Sequence, residues 1–218
     1  MSFFNDLATS TKQVALVIDA QRVEHFTSQV GATAPAYPHS HTGTVLVLGN
    51  AYCLHDDFQR AREIYGDVPV IAVNGAAGEV KAFALFTQHP RKFPQWIKAQ
   101  RERFGDGFTT HAAGKAHLKS RFGNVERMPF VDHWWDNVAS GGTSTWGARR
   151  MAGLMGFDLV ILCGMPLDRG SYSNGKMARD FNRPDLVEHY RRMIMRDKDW
   201  HSGVKSMSGW TRETFGQG

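Results

Sequence analysis

Short apolar runs alternate with amphipathic stretches from Thr44 onward, and this alternation decides the fold class. Strands are predicted for the runs TVLVL, VPVIAV and KAFALF, because each is short, largely apolar and followed by turn-forming residues. Helices are predicted between them, over Leu54–Tyr65 and over a short Ala-rich stretch after Asn74. Strands that alternate with helices are typical of parallel βαβ units. The pattern therefore predicts an α/β fold with a doubly wound, mostly parallel sheet.

The second half of the chain continues this alternation. It contains a turn rich in Gly, Ser and Thr, then a helix with Trp146 on its apolar side, then a buried strand at Leu159–Cys163. On that helix we expect Arg149 and Arg150 to reach water. The other elements are expected as weaker strands over Phe108–His111 and Met128–Val131, and as helices over Pro94–Phe104, Asp185–Asp197 and Gly203–Phe215.

The first 43 residues differ from the rest in their pattern. One helix is expected over Val14–Val30, and the segment GATAPAYPHSHTGT after it has the Pro, Gly, Ser and Thr content of a loop. We therefore expect residues 1–43 to form an N-terminal appendage and residues 44–218 to form a single domain that ends in C-terminal helices. A chain of 218 residues is long enough for one substantial core.

Composition and charge favour a soluble globular protein. The chain is 42% hydrophobic and 22% charged, and no apolar stretch approaches the ~20 residues of a membrane span. The first residues lack the basic start and long apolar segment of a signal peptide, which favours a cytoplasmic location. The net charge of +5 permits an anionic partner. Because the basic residues are spread over many short runs, most of them are more typical of solvated helix faces.

Metal-ligand motifs and the common nucleotide loops are missing from the sequence. There is no G-x-x-x-x-G-K-[ST] phosphate loop, no G-x-G-x-x-G after the first strand and no H-E-x-x-H pair. Cys53 and Cys163 follow or lie in apolar runs, and we expect both to be reduced, buried thiols. The segment Asp197-Lys198-Asp199 has the D-x-D form of some metal sites, but it ends a charged helix, and we interpret it as solvated surface. No metal site is expected.

Small and amide-bearing residues follow the predicted strands. Gly49 and Asn50 end the first strand and Asn74 ends the second, so all three are expected at the carboxyl edge of the sheet, where α/β folds bind ligands. An asparagine amide donates and accepts, which suits a base or a ribose, although each asparagine alone is also typical of a turn. Unpaired N–H groups at a helix start suit an anion. The turn before the Trp146 helix is expected to supply them, through Ser140, Gly141, Gly142, Thr143 and Thr145.

Three blocks of the chain resemble a known superfamily. The segments GNAYCLHDD, VIAVNGA and SGGTSTWGARRMAGLMGFDLVILCGMPLD are similar to the corresponding blocks of the sialyltransferase-like Rossmann superfamily, over about residues 44 to 168. This group includes bacterial sialyltransferases, motility-associated glycosyltransferases and a pterin diphosphokinase branch. The chain also resembles small phage and prophage proteins, through His89-Pro90-Arg91-Lys92-Phe93 and the segment SMSGWT from Ser206.

The resemblance implies a Rossmann-like fold and roles for individual residues. In the family, asparagines after the first two strands hold the nucleotide and the serine-glycine turn lies against the donor, which implies these roles for Asn50, Asn74 and residues 140–143. Family tyrosines contact the donor phosphate from a later loop, where this chain has Tyr172. A family histidine acts as general base, and His201 and His189 are the candidates here.

The function expected from the sequence is sugar transfer. We expect a glycosyltransferase-like enzyme that moves a sugar from a nucleotide-activated donor to an acceptor hydroxyl, on a glycan or a hydroxylated DNA base, with no metal and no cofactor beyond the donor itself. The basic balance favours an anionic acceptor, nucleic acid included. The alternatives are a noncatalytic nucleotide- or nucleic-acid-binding phage protein and a pterin-type diphosphotransferase. A phage-encoded chain would work in the bacterial host cytoplasm, and homo-oligomerisation stays open.

The end of the chain carries aromatic and apolar side chains that need a surface to cover. Met207 and Trp210 are three residues apart, and on the predicted final helix they are expected to share one face. His201, just before that helix, is then expected at the mouth of the nucleotide site.

Overall fold

Parallel strands form the centre of the protein. A computed structural model describes residues 40–113, 130–135, 138, 143–176 and 182–218. In these residues the strands are β1 (Thr44–Leu48), β2 (Val70–Val73), β3 (Ala84–Thr87), β4 (Thr109–Ala112), β5 (His133–Trp134), β6 (Leu159–Cys163) and β7 (Val204–Ser206). They make one seven-stranded sheet in the order β5-β4-β3-β2-β1-β6-β7, and every neighbouring pair is parallel. The predicted doubly wound α/β fold is confirmed.

Helices cover both faces of this sheet. They are α1 (Leu54–Tyr65), α2 (Phe93–Phe104), α3 (Ser144–Leu154), α4 (Pro184–Arg196) and α5 (Gly209–Phe215), with short 3-10 turns at Asn74–Gly78, Pro90–Lys92 and Lys198–Trp200. One buried cluster lies under α1 and α2 and includes Leu54 and Phe93, and the other lies under α3 and α4 and includes Trp146 and Ile194. The central strands are apolar at almost every position because both of their faces are covered.

Most predicted elements occur where the pattern placed them. The helix at Leu54–Tyr65 and the strand at Leu159–Cys163 have the predicted bounds, and α4 begins and ends one residue earlier than predicted. Of the strand predicted over Met128–Val131, residues 128 and 129 lie outside the described residues, Phe130 and Val131 are not part of a strand, and β5 begins at His133. Residues 1–39, which hold most of the predicted N-terminal appendage, lie outside the described residues.

The predicted final helix is wrong in its first half. Val204 and Ser206 are buried while Lys205 between them is exposed, which is the two-residue period of a strand, and this segment pairs with β6 as β7. The helix that follows begins only at Gly209. Three residues are too few for a period to be recognised in the sequence, so the pattern around them favours the longer helix.

Met207 and Trp210 consequently lie on opposite faces of the sheet, and the prediction that they share a helix face is also wrong. Met207 is completely buried in the cluster under α1 and α2. Trp210 packs against the other cluster, under α3 and α4. The chain crosses from one face to the other because β7 ends at Ser206, immediately before Met207.

The prediction that Arg149 and Arg150 reach water is wrong. Arg150 forms a forked ion pair with Asp197, in which its Nε lies 2.7 Å from Oδ2, and the same carboxylate oxygen accepts from the indole nitrogen of Trp146 at 2.6 Å. The two charged side chains are only 9% and 12% exposed. Asp197 is therefore a buried anchor between α3 and the end of α4, and the interpretation of this residue as solvated surface is wrong as well.

Arg149 is held beside this pair. It donates to the carbonyl of Ser202, and its guanidinium lies 5.4 Å from the ring centroid of Trp200. Burial is the main cause that lowers the pKa of Arg149 to about 10, with Arg150 acting in the same direction and Asp197 raising it. The side chain stays charged at neutral pH, so the basic pair of α3 fixes the segment between α4 and β7.

None of the helices within the described ranges combines the length and the apolar character that a membrane span requires.

The Asp197 anchor predicts a large loss of stability when its side chain is removed. We expect Asp197→Ala to lower the free energy of unfolding by about 3–5 kcal/mol, because the Arg150 guanidinium is then buried without its carboxylate. Urea denaturation measures the difference. Asp199→Ala is the matched control, since Asp199 is exposed two residues further on and its removal is expected to change stability by less than about 0.5 kcal/mol. Equal effects of the two variants would contradict a buried anchor.

Candidate functional site

The strand order reverses at β1 and β6. From β1 the chain builds the sheet outward through β2 to β5, and it then returns to the other side of β1 to add β6 and β7. Connections that leave β1 and β6 in opposite directions open a crevice beyond their carboxyl ends, which is where α/β proteins bind ligands. A cavity of about 750 Å³ lies there. Its lining comes from the ends of β1, β2, β3 and β6, the start of α3, the segment 170–176, Tyr190 of α4, and Lys92, Gln95 and Trp96 at the start of α2.

Two glycines let β1 and β6 end in direct contact. Gly49 donates to the carbonyl of Cys163 at 2.8 Å, and Ala51 donates to the carbonyl of Gly164 at 3.1 Å. A Cβ atom on Gly49 would meet the Gly164 carbonyl oxygen at 2.4 Å, and a Cβ atom on Gly164 would meet the Gly49 oxygen at the same distance. Gly49 is not among the residues that line the cavity, and its observed role is to permit this approach.

A buried carboxylate fixes the end of β6 from the other side. Asp57 of α1 accepts from the Gly164 N–H at 2.9 Å and from the Ser208 hydroxyl at 2.6 Å. Burial raises the pKa of Asp57, and the hydrogen bonds from Ser208 and Gly164 act against that rise. One side chain therefore joins α1, β6 and the turn before α5 just beneath the cavity.

Asn50 lines the cavity, as predicted, and the segment 170–176 holds it in place. Its Oδ1 accepts from the Ser173 hydroxyl at 2.6 Å, and its carbonyl accepts from the Ser173 N–H at 3.1 Å. Its Nδ2 lies over Gly75, where a Cβ atom would meet it at 2.6 Å. Tyr172 also lines the cavity, and it forms an antiparallel bridge with Ala51.

Asn74 lines the cavity next to Asn50 in an unusual backbone conformation. Its φ is 54°, in the left-handed region that asparagine tolerates better than most residues. Its Oδ1 accepts from the Thr87 hydroxyl at 2.8 Å, and the oxygen of that hydroxyl accepts from the His89 N–H at 2.8 Å. This chain of hydrogen bonds couples the ends of β2 and β3 and orients both Asn74 and His89 at the cavity.

The start of α3 forms one wall. Thr143 caps the helix, because its hydroxyl oxygen accepts from the Trp146 N–H at 3.2 Å. Ser144 and Thr145 follow in the first turn, and all three residues from Thr143 to Thr145 line the cavity. Helix N-termini carry N–H groups without intrahelical partners and a partial positive charge, which attract anions. Ser140, Gly141 and Gly142, which the sequence also predicted here, lie outside the described residues.

The charged residues of the lining favour an anionic ligand. Lys92 and Lys176 are exposed at its edge. The carboxylate of Asp168 also lines the cavity, but Arg191 donates to it at 2.7 Å and so neutralises it. Arg191 donates as well to the carbonyl of Leu167, whose φ of 51° is strained for a branched side chain and is the kind of outlier that clusters at binding sites.

The two histidines predicted as general bases do not line the cavity. His201 donates from Nε2 to the carbonyl of Ile194 at 2.8 Å and packs against Trp146 and Phe215, so it caps the last turn of α4. His189 is exposed on α4. The histidine in the lining is His89 instead. Its signal was present in the sequence, since it follows the third strand just as Asn50 and Asn74 follow the first two.

Both cysteines are buried free thiols near this edge of the sheet. Burial is the main cause that raises the pKa of Cys53 to about 12, and it raises the pKa of Cys163 as well. Cys53 Sγ lies 3.2 Å from the Ser208 hydroxyl oxygen. Within the described part of the chain, no group of three or more His, Cys, Asp or Glu side chains is arranged to hold a metal ion.

Comparisons with known proteins find a structural similarity but no match in sequence. No protein-family model matches the chain, and no curated protein sequence matches it. Among solved structures, the chain is similar to the MAf glycosyltransferase from Magnetospirillum magneticum AMB-1, with a TM-score of 0.48 and 16% sequence identity. The match covers 78% of this chain and 33% of that protein, so the chain spans about a third of its length.

The contact between the two glycines predicts a specific intolerance. We expect Gly164→Ala to lower the free energy of unfolding by about 2–5 kcal/mol, since a Cβ atom adds a clash with the Gly49 oxygen to the cost of a left-handed backbone. Gly175→Ala is the control, because Gly175 also has a positive φ but no atom within 4 Å of the added Cβ, so only about 1–2 kcal/mol is expected. Thermal or urea unfolding that ranks the two variants equally would contradict the role of the contact.

Proposed function

We propose that the cavity binds a nucleotide-activated sugar and that the protein transfers the sugar to an acceptor hydroxyl, with no metal required. The observation that carries this proposal is the set of hydrogen-bond donors around the cavity: two oriented amides, a helix N-terminus and two lysines at the point where the strand order reverses. The phosphates and base carbonyls of a nucleotide are acceptors, so they complement such a lining.

The orientation of the two amides supports the proposal that a nucleoside binds at one side of the cavity. Asn50 and Asn74 are both held through their Oδ1 atoms, by Ser173 and Thr87 respectively. Each amide then has its N–H2 group to offer to a ligand. Donors fixed in advance bind with less loss of side-chain entropy than mobile ones.

The start of α3 supports the proposal that the phosphate binds at the other side of the cavity. Ser144 and Thr145, which belong to the first turn of α3, line the cavity, and N–H groups at such a helix start suit a phosphate. Lys176 and Lys92 add positive charge at the edge. The same groups that bind a phosphate in the ground state stabilise the extra charge that it gains as a leaving group, which is how this site would promote transfer.

His89 is the proposed general base. It is exposed at the cavity edge, and its backbone is fixed by the hydrogen bond to Thr87. An imidazole there can take the proton from an acceptor hydroxyl that approaches from solvent.

A noncatalytic nucleotide-binding protein is the second candidate. It is favoured by the position of His201, which the sequence predicted as a base and which instead caps α4 away from the cavity lining. In this alternative the cavity binds nucleotide, but a donor sugar is neither transferred nor hydrolysed.

Nucleotide binding by the cavity is tested by displacing the Asn50 amide. We expect Gly75→Ala to weaken nucleotide binding at least about tenfold in calorimetric titrations with a panel of nucleotides and nucleotide sugars, because its Cβ would push Asn50 Nδ2 aside. Gly78→Ala is the matched control in the same 3-10 turn, where a Cβ atom makes only an ordinary contact of 3.4 Å with Ala99. Unchanged affinity in Gly75→Ala would place the nucleotide elsewhere.

The role of His89 as general base is tested by comparing it with His189 and His201. We expect His89→Ala to lower turnover of a nucleotide sugar about a hundredfold, as loss of a general base does, while donor binding is retained. His189→Ala should keep full turnover, and His201→Ala should lower the melting temperature because it removes the cap of α4. Full turnover in His89→Ala would exclude it as the base, and absence of any turnover in the wild-type protein would favour the noncatalytic alternative.

A further inference from the structure

A second depression lies on the outer side of α4, separate from the residues that line the cavity. Its volume is about 320 Å³, and its described lining consists of Glu188, Arg191, Arg192, Met195, Arg196, Lys198 and Trp210. Four of these seven side chains are cationic, and Glu188 is the one carboxylate among them. We define Arg192 and Arg196 of α4, together with Lys198 of the 3-10 turn that follows it, as the basic face of α4.

The cations of the basic face have no close carboxylate partner among the described residues. Arg191 is already paired with Asp168, but Arg192, Arg196 and Lys198 form no ion pair with a described residue. All three are exposed. The nearby carboxylate of Asp197 is turned inward to Arg150, so it does not offset them.

Apolar surface lies among these cations. Met195 is 43% exposed, and the half-buried indole of Trp210 lines the same depression. Trp210 is positioned rigidly, because the Arg191 guanidinium lies 5.3 Å from its ring centroid and the Phe215 ring packs edge to face against it. Cations beside a fixed aromatic ring are the combination that binds single-stranded nucleic acid, where phosphates pair with arginine and lysine and bases contact the ring.

We propose that the basic face of α4, together with Met195 and Trp210, binds single-stranded nucleic acid. Arginine supplies two of its three cations, and the guanidinium fork matches a phosphate with two parallel hydrogen bonds. This site is distinct from the nucleotide cavity, and its existence does not depend on the proposed sugar transfer.

Two other anionic partners fit the surface less well. An anionic membrane would require an apolar face to insert, but α4 buries Val187 and Ile194 in the core and exposes only Met195 among its large apolar side chains. An acidic peptide would satisfy the cations, but it has no planar bases to place against Trp210. Both partners are outcomes that the experiment separates.

The experiment is fluorescence anisotropy with a short labelled oligothymidylate and the full chain. We expect the triple variant Arg192→Ala, Arg196→Ala, Lys198→Ala to lose affinity at least about tenfold and to reduce the slope of log affinity against log salt by about 2, since about three phosphate contacts are removed. The matched control is the triple variant Lys98→Ala, Arg101→Ala, Arg103→Ala on α2, which removes the same charge from another exposed helix. It should bind within about threefold of the wild type, as a change in net charge alone acts weakly at moderate salt.

Competition separates the partners. Unlabelled oligothymidylate should displace the probe at lower concentration than polyglutamate, duplex DNA or anionic vesicles. The proposal is overturned if the wild-type protein does not bind the probe at low salt, if the α2 variant loses as much affinity as the α4 variant, or if any of those competitors is as effective as the single strand. Thermal unfolding of both variants verifies that the exposed substitutions leave the fold intact.

Discussion

The contact between Gly49 and Gly164 is the constraint on which the site depends. β1 and β6 are neighbours in the sheet, but the chain leaves them in opposite directions, so their ends can form a crevice only if the two backbones meet with no side chain between them. Because the two backbones meet, Asn50 after β1 and Leu167 after β6 line the same cavity. Asp57 then secures this arrangement from below through the N–H of Gly164 and the hydroxyl of Ser208.

The fold and part of the site were predictable because they follow from local patterns. Apolar runs with short helices between them predicted the parallel sheet, and carboxyl ends of parallel strands share one edge, so Asn50 and Asn74 were placed together correctly. The position of Thr143 and Thr145 follows from the same reasoning, since a helix that runs antiparallel to the strands of such a sheet starts at their carboxyl edge.

The failures have more than one physical cause, and the first is pairing over long distances in the chain. Arg150 and Asp197 are 47 residues apart, so nothing near either residue shows that each neutralises the other in a buried position. His201 was predicted from a resemblance, but its ring is captured by the end of α4. β7 is too short for its period to compete with the helical pattern around it.

Helix α4 links the two proposed binding sites. Tyr190 lines the cavity, and the next residue, Arg191, pairs with Asp168 at the cavity while its guanidinium lies 5.3 Å from the ring centroid of Trp210. A fixed helix between two sites that attract phosphates would hold a donor nucleotide and an anionic polymer on one protein surface without either one occupying the place of the other.

A nucleotide bound in the cavity at the carboxyl ends of β1 and β6 would slow hydrogen–deuterium exchange in the residues around it. With a saturating nucleotide sugar, we expect slower exchange in the segments 49–54, 74–78, 143–147 and 164–176, which line or adjoin the cavity, and unchanged exchange in α2 beyond Trp96. Protection confined to other segments, or none with any nucleotide of the panel, would show that this cavity does not bind a nucleotide.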